Sequence, residues 1–179
     1  MAPDLAALAA TVRELKDRQD ILDCITREAR GRDRHDVELT LGCYWPDGYD
    51  EHGATITAAP DYPARANWGH ARFFSATSHN ITNHPCEIAG DSATYVVGGL
   101  LSADGQTCRI APGRYIDRLE RRGEEWRILQ RRCTVDMVVE GDASWLHSPA
   151  VKGFLKPVWG KGDVSYQRPV TVGTDGERW

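Results

Sequence analysis

The sequence lacks several features that would place it in a common class of protein. It has no run of about 18 apolar residues, which argues against a membrane-spanning helix. Lys and Arg are not gathered into one segment and the formal net charge is −4, so nothing suggests a nucleic-acid-binding surface. The five cysteines are scattered without a C-x-x-C pair, which argues against a zinc cluster or a dense disulfide framework. Reduced thiols in a cytoplasmic protein are the simplest interpretation.

The chain also lacks internal repeats and low-complexity segments. Its first residues, MAPDLAALAATVRELK, include an acidic residue and no apolar region ending at a cleavage site, so we expect no secretory signal. A length of 179 residues favours a single domain with one substantial core. We expect residues 1–140 to form that domain, and residues 141–179 to form an arm that completes it or contacts another subunit.

The first half of the sequence predicts helices. Residues 4–34 carry two apolar stripes with helical spacing, made by Leu5, Leu8, Val12 and Leu15 and then by Ile21, Leu22, Ile25 and Ala29. Asp36 is a predicted N-cap for a short helix over VELTLGCYW. The segment PDGYDEHG predicts a turn and a short strand, and residues 60–76 predict a third helix that opens with proline.

The second half predicts a β-meander from about residue 79. The segments AGDS, ADGQ and RRGEE supply turn residues between runs rich in Val, Ile, Tyr and Thr. The tail from Glu140 is rich in glycine and predicts an irregular arm with a short helix around SPAVKGFL. Helices followed by antiparallel strands predict an α+β fold, with the N-terminal helices packed on a curved antiparallel sheet. A curved sheet closed by helices makes a cone with an apolar interior, and such an interior suits a small-molecule pocket.

The charged stretch RGRDRHD raises the question of whether one carboxylate points inward. Ile25, Ala29 and Asp33 are spaced four apart, so they share one helical face. Asp33 therefore continues the apolar stripe, whereas Arg30 and Arg34 can reach solvent or salt bridges. The alternative is that Asp33 only forms a local ion pair with Arg30 or Arg34.

His79, in SHNITNHPCEI, is the second candidate. It lies where the third predicted helix gives way to the first long strand, and alternation places His79, Ile81 and Asn83 on one face. A lone histidine is more often structural than catalytic, so His79 indicates catalysis only if a second polar side chain supports it.

Arg131, in WRILQRRCTVDMV, is the third candidate. Alternation places it between Leu129 and Cys133 on one face, where a guanidinium is costly to bury unless it meets an anion. That anion could be Asp33, in which case the pair is structural. Arg132 points to the other face, toward solvent or a subunit contact.

Asp33, His79 and Arg131 together would form a working set in an apolar cone. The carboxylate would support the imidazole, the imidazole would remove a proton, and the guanidinium would stabilise a leaving group or oxyanion. No nucleophile elbow, phosphate-binding loop or strong metal-ligand pattern competes with this interpretation. Asp50 and His52 share a strand face, but as a metal-binding pair they are a weak signal.

These residues resemble the SnoaL-like branch of the nuclear transport factor 2-like superfamily. The resemblance covers about residues 10–140 and rests on RQDILDCITREARGRDRHD, on GRYIDRLERRGEEWRILQRR, and on the spacing of His79, Asn83, Gly90, Asp91 and Ala93. It implies a cone-shaped α+β fold, a homo-oligomer with a trimer favoured over a dimer, and catalysis without a cofactor. The group includes dehydratases, dehydrochlorinases, polyketide cyclases and a lignin-dimer formaldehyde lyase.

The resemblance also assigns roles. In dehydrochlorinase-like members an Asp near the end of the first long helix pairs with a His on the first long strand, and an Arg lies five residues after a Trp in the last strand. Those positions fall here on Asp33, His79 and Arg131, the last counted from Trp126.

One position departs from the family pattern. Many dehydratase members carry a Tyr five residues before the Asp, and Glu28 occupies that position here. Tyr49 or Tyr115 could supply the missing phenol, and Tyr115 is favoured because small residues alternate with it, although it could equally be a core aromatic. We therefore add Tyr115 to the catalytic set of Asp33, His79 and Arg131. The substrate-binding candidates are Glu28, Tyr49, Asn83 and Trp68.

Three functions remain open. The first is a lyase that removes water, halide or formaldehyde from a hydrophobic, ring-containing small molecule, the last as in cleavage of a lignin-derived diaryl diol. The second is an isomerase or cyclase with the same base. The third is a non-catalytic ligand-binding or structural subunit, against which the joint presence of Asp33, His79 and Arg131 argues.

Overall fold

A computed structural model describes residues 4–88 and 91–179, and of Asp91 and Ala93 it describes the backbone. Gly90, one of the residues that carry the resemblance, lies outside the described residues. So does the first half of the turn predicted at residues 89–92.

A long first helix dominates the N-terminal part. Helix α1 spans Leu5–Arg34, as predicted, and the Asp4 side chain caps its first turn by accepting from the backbone N–H of Ala6 at 3.0 Å. The helix ends at His35, which takes a left-handed conformation with φ 52°. The second apolar stripe is buried around Ile21 and Ile25, whereas the four residues of the first stripe are exposed.

Short elements connect α1 to the sheet. Helix α2, Val37–Leu41, is capped by Asp36 as predicted, and the chain then enters strand β1 at Tyr44–His52. The expected turn at the start of PDGYDEHG is wrong, because β1 runs through this segment, with a shift of pairing register between Tyr44 and Tyr49. Strand β2 is Thr55–Ala58, and helix α3, Tyr62–Phe73, is shorter than the predicted residues 60–76.

The remaining strands form the predicted meander. They are β3 Phe74–Ile81, β4 Asp91–Ser102, β5 Thr107–Arg122, β6 Glu125–Val135 and β7 Val139–Asp142. Within the described residues the strands build one seven-stranded sheet in the order β2-β1-β6-β5-β4-β3, with β7 also paired to β5. All strand pairs are antiparallel except β1 with β6, which runs parallel.

The core lies between α1 and the sheet. Ile21, Cys24 and Ile25 of α1 pack against residues of the strands that include Leu119 and Ile128, all at most 1% exposed. The protein is therefore α+β, with N-terminal helices on a curved, unclosed sheet, as the sequence predicts. No helix in the described ranges has both the length and the apolar character needed to cross a membrane.

The C-terminal arm folds back onto the end of α1. Gly160 donates its backbone N–H to the carbonyl of Arg34 at 2.5 Å, and Tyr166 donates its hydroxyl to Asp36 at 2.9 Å. The Trp159 ring stacks on His35 with ring centroids 4.0 Å apart. The short helix predicted around SPAVKGFL is wrong: residues 148–155 form turns, and the 3₁₀ helices lie at Ser144–His147 and Val164–Tyr166.

Asp163 is the anchor of this arm. Its carboxylate accepts from the backbone N–H groups of Val158 and Ser165 at 3.0 and 2.9 Å, and from the Arg34 guanidinium at 3.0 Å. Burial raises the pKa of Asp163, but these hydrogen bonds outweigh burial and the net pKa is lowered.

We predict that Asp163→Ala loosens the arm, because three partly buried donors lose their acceptor, at about 1–3 kcal/mol. Limited proteolysis should cut the variant between residues 143 and 179 faster than the unmodified protein. Lys161→Ala, which removes only an exposed contact with Glu38, is the control and should be cut at the unmodified rate. Equal cleavage of both variants would show that Asp163 does not hold the arm.

Candidate active site

The predicted contact between Asp33 and His79 is present in the structure. Asp33 Oδ1 lies 2.6 Å from His79 Nδ1, and Asp33 Oδ2 accepts the backbone N–H of His79 at 2.7 Å. Thr77 donates its hydroxyl to Oδ1 at 3.0 Å. The last turn of α1 is thereby fastened to β3, and His79 lies inside that strand rather than at its start.

These contacts set the charge and the tautomer of the pair. Burial raises the pKa of Asp33, but the hydrogen bonds and charge of His79, with the bond from Thr77, outweigh it and lower the net pKa below the usual Asp value. A carboxylate at Nδ1 holds the proton on that nitrogen and leaves the lone pair on Nε2. Nε2 makes no hydrogen bond to the described residues, so it is available as a base.

A cleft of about 650 Å³ lies beside the pair, between α1, β3 and the arm. Apolar side chains from all three elements line it together with Asp33 and His79, and they include Ala29, Ile81, Leu155 and Val164. On the inner side of the sheet the His79 ring faces Tyr115 and His70, with ring centroids 6.5 and 6.1 Å away.

Arg131 does not contact Asp33. Its guanidinium donates two hydrogen bonds of 2.7 Å to Asp117 and a further one to Glu28, and all three side chains are fully buried. Burial lowers the pKa of Arg131, but the two carboxylates outweigh burial and raise it well above its usual value. From the sequence, the alternative for Arg131 was a structural ion pair with a carboxylate, and Asp33 was named as that carboxylate. The ion pair is present, but its carboxylates are Asp117 and Glu28, so the expected partner is wrong.

Arg131 faces inward and Arg132 outward as predicted, but the facing expected for Ile128 needs a correction. Strand pairing between β5 and β6 shifts register at Leu129, so Ile128 and Arg131 are both buried. Strict alternation placed these two residues on opposite faces. A bulge of this kind inserts one residue and resets the facing of every residue that follows.

Tyr115 is buried and stacks on this network. The Arg131 guanidinium lies 3.9 Å from the centre of its ring. Burial raises the pKa of Tyr115 well above its usual value, so its phenol is a proton donor at neutral pH.

The substrate-binding candidates separate into one buried and three exposed residues. Glu28 lies in the core as the counter-ion of Arg131. Tyr49 is 50% exposed and Trp68 64% exposed, and Asn83 lies in the exposed loop after β3. The structure therefore does not bring Tyr49, Asn83 or Trp68 to the pair. The prediction that Asn83 shares a strand face with His79 fails, because β3 ends at Ile81 and strand alternation does not continue to Asn83.

Three polar residues, two of them buried and His70 partly buried, escaped the sequence-based prediction. Arg32 and His70 are in contact, with Nη2 and Nε2 3.1 Å apart, and Tyr62 packs its ring 4.8 Å from the guanidinium. Arg32 Nε and Nη1, His70 Nδ1 and the Tyr62 hydroxyl are buried without a hydrogen-bond partner among the described residues. All three residues line a cavity of about 170 Å³. Burial, with the charge of Arg32, lowers the pKa of His70 to about 2, so the ring is neutral.

Comparison with known proteins agrees with this architecture. The profile of the SnoaL-like domain family matches residues 13–132. A candidate scytalone dehydratase from Novosphingobium aromaticivorans DSM 12444 superposes with TM-score 0.65 at 17% identity, covering 72% of this chain and 90% of its own. A hexachlorocyclohexane dehydrochlorinase, LinA type 2, gives TM-score 0.67 at 18% identity, covering 73% and 93%.

Rv3472, a protein of unknown function from Mycobacterium tuberculosis, is 26% identical with TM-score 0.63, covering 72% of this chain and 77% of its own. Among curated proteins none matches the chain. The solved structures share the fold of this chain. The fold does not specify its reaction, which depends on the side chains of its own site.

We predict that Asp33→Asn changes how stability depends on pH. The folded-state pKa of Asp33 is below its unfolded value, so the carboxylate stabilises the fold above about pH 4 and this contribution is lost as the pH falls through the lowered pKa. Urea unfolding should give a larger free energy of unfolding for the unmodified protein than for the variant. This difference should be constant near neutrality and become smaller below about pH 4. The exposed substitution Asp61→Asn is the control; a difference for Asp33→Asn that does not narrow would contradict the pairing.

We predict a large loss of stability for Arg131→Ala. Glu28 and Asp117 would remain buried without their counter-charge, at a cost of about 3–5 kcal/mol. Arg132→Ala, which removes an exposed pair with Glu51, should unfold at nearly the unmodified urea concentration. If Arg131→Ala fails to fold, the double variant R131M/D117N should fold again, because it neutralises the carboxylate at position 117 and leaves Glu28 its ion pair with Arg32, 4.0 Å away. Similar stability for the two alanine variants would refute a structural role.

Proposed function

The chain belongs to the SnoaL-like domain family, and we propose that it is a lyase that uses His79 as a base and Asp33 as its supporting carboxylate. The observation that carries the proposal is the 2.6 Å contact between Asp33 and His79 Nδ1, beside a cleft whose lining combines apolar side chains with charged ones such as Arg30 and Lys156. A histidine held in this way is the usual arrangement of a general base.

His79 Nε2 takes a proton from a carbon or hydroxyl of the substrate. The imidazolium that forms stays paired with Asp33, whose lowered pKa keeps it ionised through the step. Electrons of the broken bond then expel the leaving group on the neighbouring atom. Every step in this scheme uses side chains of the chain itself.

Tyr115 is the proposed donor to the departing or developing oxygen. Its ring centroid lies 6.5 Å from that of His79, on the buried side of the base and outside the lining of the cleft, so this role requires the substrate to reach past His79. Arg131 contributes as a positioning residue in this scheme, because its hydrogen bonds are directed to Asp117 and Glu28 while its guanidinium supports the Tyr115 ring. This assignment replaces the direct role expected for Arg131 from sequence.

The proposed substrate is a hydrophobic, ring-containing small molecule. Ala29, Ile81, Leu155 and Val164 offer apolar walls close to the base. Loss of water or halide follows removal of a proton from carbon, and loss of formaldehyde follows removal of a hydroxyl proton with carbon–carbon cleavage, as in a lignin-derived diaryl diol. We further propose a cytoplasmic homo-oligomer, a trimer in preference to a dimer, with residues 1–140 as its domain.

Isomerisation or cyclisation is the second candidate. The same base would remove a proton next to a carbonyl, and the protonated phenol of Tyr115 would stabilise the enolate. The Asp33–His79 pair favours this alternative over a purely ligand-binding role, since a binding pocket does not require a base.

A substrate screen tests the reaction class. The purified protein is incubated with ring-bearing alcohols, halides, ketones and diaryl diols, and products are weighed by mass spectrometry. A product lighter by water, hydrogen halide or formaldehyde supports the lyase. A product of unchanged mass supports the isomerase or cyclase and contradicts the lyase.

We predict that His79→Ala lowers kcat on any accepted substrate by about 10²–10⁴-fold, the usual contribution of a general base. Asp33→Asn should also lower kcat, with circular dichroism unchanged. The matched control is His84→Ala, since His84 lies in the loop after β3 and contacts Thr94 instead of the pair. Unchanged turnover by the His79 variant would make the pair structural and end the lyase proposal.

A further inference from the structure

A second cluster of chemically active side chains lies on strands β1 and β6. The parallel register places Asp50 beside Arg131, so two residues further along His52 lies beside Cys133. Asp50 is fully buried, while His52 is about half exposed, with a side chain 48% accessible. The cluster therefore extends from the interior to the surface at one end of the sheet.

The three side chains converge on one point. Cys133 Sγ lies 3.1 Å and Asp50 Oδ1 3.5 Å from the same nitrogen of His52, Nδ1. The three potential ligand atoms all lie within 4.8 Å of one another. A nucleophilic Cys-His-Asp triad would instead place its thiol and carboxylate on opposite ring nitrogens. Convergence on one nitrogen is the geometry expected around a shared cation.

Asp50 supplies a second, independent indication. Its Oδ2 accepts the Tyr44 hydroxyl at 2.9 Å, but its Oδ1 is buried and has no hydrogen-bond partner in the described part of the chain. A buried carboxylate oxygen without a partner is costly. The nearby guanidinium of Arg131 is already matched by Glu28 and Asp117. The oxygen directed at His52 thus lacks the positive charge that its burial demands.

We propose that Asp50, His52 and Cys133 bind a divalent transition-metal ion, with Zn²⁺ as the favoured occupant. A carboxylate, an imidazole and a thiolate are all ligands that zinc accepts, whereas Mg²⁺ and Ca²⁺ prefer oxygen alone. Tetrahedral zinc separates its sulfur and nitrogen ligands by about 3.5 Å, so the observed spacing needs only a small adjustment. Cys133 binds as the thiolate, and its proton leaves to solvent.

Three protein ligands leave one coordination position open. His52 also lines the cavity of about 170 Å³ that contains Arg32, Tyr62 and His70. The fourth position can therefore hold a water or an oxygen of a small molecule in that cavity. This inference goes beyond the proposed lyase, because it uses neither Asp33 nor His79.

Cobalt(II) is the probe for this site, because thiolate coordination gives it a charge-transfer absorption band. The full-length protein, treated with chelator, is titrated with Co²⁺ and then with Zn²⁺. We expect one Co²⁺ per chain with a thiolate band, and loss of that band when Zn²⁺ is added. Zn²⁺ should also raise the melting temperature in a concentration-dependent way.

Variants identify the ligands. Cys133→Ser should abolish the thiolate band, and His52→Ala should weaken binding at least about tenfold. Cys108→Ser and His147→Ala, which lie outside the cluster, should bind as the unmodified protein does, and so should His79→Ala. Absence of a band, fewer than one Co²⁺ per chain, or a band that survives Cys133→Ser would overturn the proposal.

Discussion

The guanidinium of Arg131 lies between two carboxylates in the centre of the protein, and much of the structure depends on that arrangement. Glu28 reaches it from α1, Asp117 from β5, and Arg131 itself belongs to β6. One buried ion network therefore ties the long helix to two central strands. Ions removed from water are tolerated only when their partners are all in place, so the network fixes the relative position of these elements.

The position of α1 in turn determines where the proposed catalytic carboxylate lies. Asp33 follows Glu28 by five residues on the same helix, and its last turn is held against β3 by His79 and Thr77. The arm adds a third constraint, because Asp163 binds Arg34 directly beside Asp33. The C-terminal end of α1 is thus held at three points: by the ion pair of Glu28 with Arg131, by β3 and by the C-terminal arm. Such support is what a base needs to keep its geometry through a reaction.

The protein has two polar regions, one on each side of the ion network formed by Arg131, Glu28 and Asp117. One is the Asp33–His79 pair beside the apolar cleft, and the other is the group of Asp50, His52 and Cys133 near the small cavity. Tyr115 lies between them, since its ring is close to His79 and its strand neighbour is Cys133. A single curved sheet therefore carries the proposed base and the proposed metal-binding cluster at different points.

The sequence alone determined the α+β class, the extent of α1, the cap of α2 and the β-meander, because these follow from local periodicity and turn residues. Helical spacing placed Asp33 on the inward stripe but left a local ion pair with Arg30 or Arg34 open, and its pairing with His79 was implied by the family resemblance. Only the tertiary structure decided the partners of Arg131, because Glu28 lies on α1 and Asp117 on β5, and the inward face predicted for Arg131 does not say which carboxylates it meets. The structure likewise excluded Tyr49, Asn83 and Trp68 from the pair and added Arg32 and His70. Such pairings join residues distant along the chain, and local sequence patterns carry no information about which of them meet.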